Sequence, residues 1–228
     1  MREFLIGSER LTPSLIQTIL EQKAILRLSS SAEEAIVKCR RYLDRKVLES
    51  SAPIYGINTG FGYLQNITIP KDELTVLQHN LLLSHACGVG EFVPREIVRI
   101  MLLLKIQSLS FGSSGVALET VERLIYLFNE NVLPVVYSQG SLGASGDLAP
   151  LAHLALPLIG HGEIWMNEQA VPAEDWYRSS GLKPLELQSK EGLALINGTQ
   201  FMAAYGIHVL LRAARISKAA DIIAALSA

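Results

Sequence analysis

Apolar positions recur along this chain mostly at helical spacing, which predicts a succession of amphipathic helices separated by loops rich in glycine and proline. Thr12-Pro13 reads as an N-cap followed by proline at the first helical position, opening a short helix to about Gln22. Ser31-Ala32-Glu33-Glu34 fits a capping box, and Ile36, Cys39, Leu43 and Val47 then define a buried stripe with Cys39 as inert core. Beyond Pro70, Leu74, Leu77, Leu81 and Leu82 form the apolar side of a third helix. His85 falls near that stripe, and Gly88-Val89-Gly90 is its expected stop. Pro94 opens a fourth helix from Glu96 to about Leu109, and Leu118, Val121, Leu124, Ile125 and Phe128 mark a fifth.

The stretch from Leu151 to Ile159 is apolar but broken by Pro157, with His153 read as packing inside it. Residues 162–171 predict a short hairpin turning at Asn167-Glu168. The polar residues from Pro172 to Pro184 predict a surface loop, and after Asn197-Gly198 a helical pattern runs to Ala228. The fold class is therefore mainly α, with short strands confined to loops and the hairpin.

Composition narrows the partners. A chain of 228 residues with 49% hydrophobic residues can bury a sizeable core. Its net charge of -2, from 20 basic and 22 acidic residues well mixed along the chain, leaves no electrostatic footprint for nucleic acid. No early apolar stretch has the length of a secretory signal and no run approaches a membrane span, so a soluble cytoplasmic protein is expected. Two cysteines, Cys39 and Cys87, are too few for a disulfide framework, and His85 with Cys87 lacks the matching pair a zinc site needs. No metal is expected.

Two loops carry the chemistry. In Gly140-Ser141-Leu142-Gly143-Ala144-Ser145-Gly146-Asp147-Leu148-Ala149-Pro150, glycines supply the backbone freedom for one peptide group to approach another closely. Ala144 contributes a carbonyl, Gly146 an unhindered nitrogen and Ser145 a hydroxyl that can leave as water. The tripeptide can thus close into a five-membered imidazolone with an exocyclic methylidene. Read plainly, the same residues are a turn between two apolar segments. The second loop, Ile54-Tyr55-Gly56-Ile57-Asn58-Thr59-Gly60-Phe61-Gly62, invites a phosphate-loop reading, but no Lys-Ser/Thr follows Gly60 and the dinucleotide pattern lacks its third glycine. No nucleotide is expected. A serine-hydrolase reading, with His153 or His85 as base to Ser145, fails the Gly-x-Ser-x-Gly elbow.

At Gly143-Ala144-Ser145-Gly146-Asp147-Leu148-Ala149-Pro150 the chain resembles the aromatic amino acid ammonia-lyases and aminomutases. Tyr55 to Gly62 is similar to that family's tyrosine loop, and Lys190 to Gln200 to its asparagine motif. The resemblance implies that Ala144, Ser145 and Gly146 mature into the cofactor methylidene-imidazolone (MIO), with no metal or nucleotide. It makes Tyr55 the catalytic base, although a phenol ionises near 10 in water and needs positive charge or aimed donors to act near neutrality. Ser84-His85 stands at the family's selectivity pair in its histidine-type form, and Gln200 agrees. His85 would then contact the substrate imidazole and Asn197 would orient the substrate. The implied reaction is elimination of ammonia from L-histidine to trans-urocanate. The alternatives are tyrosine- or phenylalanine-type lyases or aminomutases.

By the same resemblance the chain is the N-terminal part of an ammonia-lyase-like helical bundle. Residues 1–111 hold the tyrosine loop and selectivity helix. Residues 112–228 hold the MIO-forming region and the truncated start of the central bundle. The complete enzyme would be a homotetramer acting on a small amino acid, with neither nucleic acid nor membrane as partner. A non-catalytic helical scaffold is the remaining possibility for so short a portion.

Overall fold

The computed structural model describes residues 3–7, 9–49 and 52–227. Strands β1 (Glu3–Ile6) and β2 (Ile25–Leu28) pair in parallel, with α1 (Pro13–Glu21) as the crossover between them. Thr12 caps α1, its hydroxyl accepting from the Leu15 amide at 3.3 Å. This small sheet was not legible in the pattern, because each strand is only four residues long.

Helix α2 (Ser30–Glu49) starts earlier than the expected capping box. Ser29, directly after β2, is the residue whose hydroxyl accepts from the Ala32 amide, at 3.3 Å. The buried stripe is Ala32, Ile36, Arg40 and Leu43, and Cys39 is only half-buried at its margin. Arg40 goes inward because its guanidinium reaches the carbonyls of Gly115 and Ser189, at 2.7 and 2.9 Å, and pairs with Asp44.

Helix α3 (Leu74–His85) buries Gln78 where Leu77 was expected. It ends before the glycines: Gly88-Val89-Gly90 leads into strand β3 (Val89–Phe92), whose pairing with β5 (Tyr137–Gln139) is irregular in register. Helix α4 (Arg95–Ser110) is the central post. Val98, Met101, Leu102, Leu103 and Ile106 are fully buried, so it is apolar nearly all round, as a core helix must be. Helix α5 (Leu118–Asn129) packs beside it.

Strand β4 (Leu133–Pro134) joins β6 (Glu163–Met166) and β7 (Gln169–Pro172) in an antiparallel sheet. The β6–β7 hairpin turns at Asn167-Glu168, both at positive φ (+46° and +69°), the primed geometry that matches strand twist. The expected loop from Pro172 to Pro184 is instead helix α7 (Ala173–Ser180), closed by Gly181 in the left-handed region. Ala173, Trp176 and Tyr177 make its buried face. Its charged residues Glu174, Asp175 and Arg178 pair with one another outside, which gave the stretch its polar look.

Helices α6 (Leu148–Ala155), α8 (Glu191–Ile196) and α9 (Gln200–Ser227) complete the fold. Pro157 converts the continuation of α6 into a 3-10 turn, Leu156–Ile159. From Val209 onward α9 exposes Val209, Leu210, Ile216, Ile222, Ile223 and Leu226. The expected final residue of that helix, Ala228, lies outside the described residues. No helix among the described residues is long and apolar enough to cross a membrane.

Candidate active site

The loop at 140–147 joins β5 to α6 and has three glycines at positive φ: Gly140 (+135°), Gly143 (+69°) and Gly146 (+110°). Gly146 is the tightest. A Cβ there would lie 2.5 Å from the Gly198 carbonyl oxygen and 3.1 Å from its nitrogen, so two backbones meet where no side chain fits. The next residue locks the contact, because the Asp147 amide donates to the Gly198 oxygen at 2.8 Å.

Asp147 is buried, and its carboxylate accepts from Ser141 Oγ at 2.9 Å and from the Met202 amide at 3.0 Å. Met202 is the third residue of α9, so this acid satisfies a free donor at the positive end of that helix. Ser145 is exposed at the loop surface beside Leu142, which is 95% exposed.

The end of α3 faces this loop. Ser84, His85 and Cys87 line one side of a cavity of about 210 Å³, and Ala144, Ser145 and Gly146 line the other. His85 Nδ1 lies 2.9 Å from the Leu81 carbonyl oxygen, which can only accept. Nδ1 therefore carries the proton in that contact, and in the neutral ring Nε2 is the acceptor. Ser84 Oγ donates to the same carbonyl at 3.1 Å. Larger grooves lie between α1, α4 and α9 (about 540 Å³) and along α2 (about 820 Å³), but neither is lined by any of the expected site residues.

His153 packs as expected, on the Tyr137 ring with centroids 5.0 Å apart. Its Nε2 accepts the Gly88 amide at 3.0 Å, and burial pushes its pKa down. A histidine engaged this way is not free to serve Ser145 as a base.

Tyr55 and Asn197 do not line the cavity. Tyr55 is 56% exposed, its ring edge-on to Phe61 with centroids 6.1 Å apart. Its loop is organised from within by Asn58, whose side chain accepts from the Ile54 amide (2.6 Å) and donates to the Ala52 carbonyl (3.0 Å). The loop leans on α8 and the residues before it: Ser189 Oγ donates to the Ile57 carbonyl at 2.9 Å, and a Cβ on Gly56 would meet Leu193 Cδ2 at 2.5 Å. Asn197 follows α8 and is exposed.

A lysine that sequence reasoning passed over sits behind Asn197. Lys105 is 1% exposed, and its Nζ donates to the Asn197 carbonyl at 3.0 Å and lies 3.4 Å from that of Ala194. Burial brings its pKa down to about 7, against the opposing pull of Asp147. The signal was available, since Lys105 is the one charged residue in the run Ile100 to Ile106.

The described residues thus form a mainly helical fold that sets a glycine-hinged Ala-Ser-Gly tripeptide against a Ser-His pair. The comparisons place the chain: it belongs to the aromatic amino acid lyase family, whose model matches residues 11–228. It is 53% identical over 200 residues to histidine ammonia-lyase of Deinococcus radiodurans, covering 85% of this chain and 38% of the relative. To histidine ammonia-lyase of Caldanaerobacter subterraneus it is 45% identical over 227 residues, covering 100% and 44%. Among solved structures, histidine ammonia-lyase from Trypanosoma cruzi superposes with TM-score 0.87 at 38% identity, over 97% of this chain and 43% of that one. Tyrosine aminomutase from Streptomyces globisporus gives 0.86 at 34% identity, over 92% and 39%. The chain thus spans about two fifths of the length of the relatives it matches.

Proposed function

We propose that this chain supplies the electrophile-forming and substrate-selecting part of a histidine ammonia-lyase, which eliminates ammonia from L-histidine to give trans-urocanate. The observation that carries the reading is the cavity that sets Ser84 and His85 against Ala144, Ser145 and Gly146. The tripeptide fits the MIO group: Gly146 has the positive φ and bare Cα that let its nitrogen approach a carbonyl, and Ser145 is exposed. Cyclised with loss of two waters, Ala144, Ser145 and Gly146 would hold MIO, which supplies an electrophile toward the substrate amine.

The remaining steps belong to side chains. His85, with Nδ1 tied to Leu81, offers Nε2 to the N–H of the substrate imidazole, a partner that a phenyl ring lacks. Tyr55 takes the β-proton as general base, and the Asn197 amide orients the substrate. The family resemblance adds a cytoplasmic homotetramer that needs neither metal nor nucleotide.

The mass of the peptide spanning Ser145 tests the first half of this reading. Loss of two waters in the purified chain, and its absence in Ser145→Ala, is the expected result. An unmodified peptide overturns self-maturation by these residues. In the complete enzyme, preference for tyrosine or phenylalanine over histidine would refute the substrate assignment.

A further inference from the structure

The candidate site is tied at one point by a charge inside the core. Lys105 comes from α4, the central helix, and its ammonium reaches the carbonyl end of α8, where Asn197 and Ala194 present oxygens. One residue further on, Gly198 receives the Asp147 amide and lies against Gly146. Asp147 then holds the first turn of α9 through Met202. The Lys105 ammonium and the Asp147 backbone amide therefore bracket the Asn197-Gly198 turn, the first bonded to the Asn197 carbonyl and the second to that of Gly198.

We propose that Lys105 is a positioning residue for the reaction: its ammonium fixes the Asn197-Gly198 turn, and with Asp147 clamps that turn against Gly146 of the electrophile-forming tripeptide. The proposal rests on the functional reading above for the identity of the site, and on geometry for the clamp. Stability does not account for the residue. A buried ammonium is costly to desolvate, and apolar replacements of buried charges are often neutral or stabilising. The carbonyls at the end of a six-residue helix could also turn to water, since Asn197 itself is exposed.

Of the charged side chains nearby, Asp147 is the one whose field acts on Lys105. Glu191, at the far end of α8, is engaged by Ala117, Thr120 and Gln188. Arg40 of α2 is held by Asp44 and two carbonyls, Arg123 of α5 by Tyr177 and Lys183, and His208 of α9 lies 3.6 Å from Glu96 of α4 itself. The clamp should accordingly weaken as pH rises through neutrality and the ammonium loses its proton.

Hydrogen exchange on the full 228-residue chain tests this, comparing wild type with Lys105→Met and with Lys105→Gln, which keeps a donor without a charge. In Lys105→Met the amides of Asp147, Asn197 and Met202 should exchange at least tenfold faster, while those of Leu124 to Phe128 in α5 keep their protection. In wild type, after correction for the intrinsic rate, the same three amides should open progressively between pH 6 and 8. Both variants should lack that dependence, with Lys105→Gln restoring part of the protection. Unchanged protection in both variants overturns the proposal, as does an equal loss in α5 and at the clamp in both. The mass of the Ser145 peptide is read in parallel. An uncyclised wild type would count against the maturation reading, while the exchange data would still decide the clamp.

Discussion

Two glycine-rich loops carry the proposed chemistry, and they are held in opposite ways. The loop at 140–147 is anchored from outside itself, by Gly198 at van der Waals limits, by the amide of α9 that Asp147 accepts, and by the Lys105 tie behind. The tyrosine loop is held largely by chain adjacent in sequence, through the Asn58 side chain and the Thr59–Thr68 bridge, with Ser189 as a more distant tie, and its Tyr55 stands exposed. The difference separates two requirements. An electrophile made by peptide cyclisation needs its backbone fixed before the reaction. A base carried on a loop can take up its final place when the rest of the pocket closes over it.

One substitution, made in each loop, gives the largest test. Gly146→Ala puts a methyl group against backbone, at a φ of +110° that side chains avoid, so about 3 kcal/mol of stability and all two-water loss should go. Gly62→Ala meets nothing within 4 Å and sits at +56°, inside the left-handed well, so its cost should be about 1 kcal/mol. Denaturant midpoints and the Ser145 peptide mass read both. Equal costs would show that the Gly198 contact adds nothing at Gly146 beyond the ordinary cost of a positive φ. Asp147→Asn comes next, at about 1–2 kcal/mol, because the amide can still accept but the charge facing α9 is gone. The same change should lower the Lys105 pKa further, as Asp147 is the group holding it up.

Much of this was legible in the residues. The Thr12-Pro13 cap located α1, helical spacing located α3, α4, α5 and α9, and an Asn-Glu pair between apolar runs marked the β6–β7 turn. Beyond the short strands β1 and β2, details of two helices escaped for physical reasons. The caps and stripe of α2 were misplaced because three serines in succession offer equivalent hydroxyls, and because an arginine can be buried when carbonyls await it. Helix α7 hid behind self-paired charges. At the candidate site, Ser145, Gly146 and His85, singled out by type and order, line one cavity, whereas Asp147 and Lys105 make contacts 55 and 92 residues away in the chain, which no local pattern encodes.

The smallest expected effect concerns the far wall of the cavity, where the better-anchored loop has an acid-sensitive support. Gly88, next to the cavity-lining Cys87, donates its amide to His153 Nε2, which accepts only while that nitrogen is unprotonated. Burial keeps the native His153 pKa below its ordinary value of 6.5, with Glu163 opposing in part. On acidification the unfolded chain therefore takes up this proton before the native one does, and unfolding gains. The contribution is complete above the ordinary value and is lost as pH falls through the lowered native one. His153→Gln keeps an acceptor without titrating, so its thermal midpoint should track that of wild type at pH 7.5 and fall less steeply toward pH 5. Parallel curves would show that the seam between β3 and β5 does not depend on His153 staying neutral, and the contrast between the loops would then rest on the Asp147, Gly198 and Lys105 contacts.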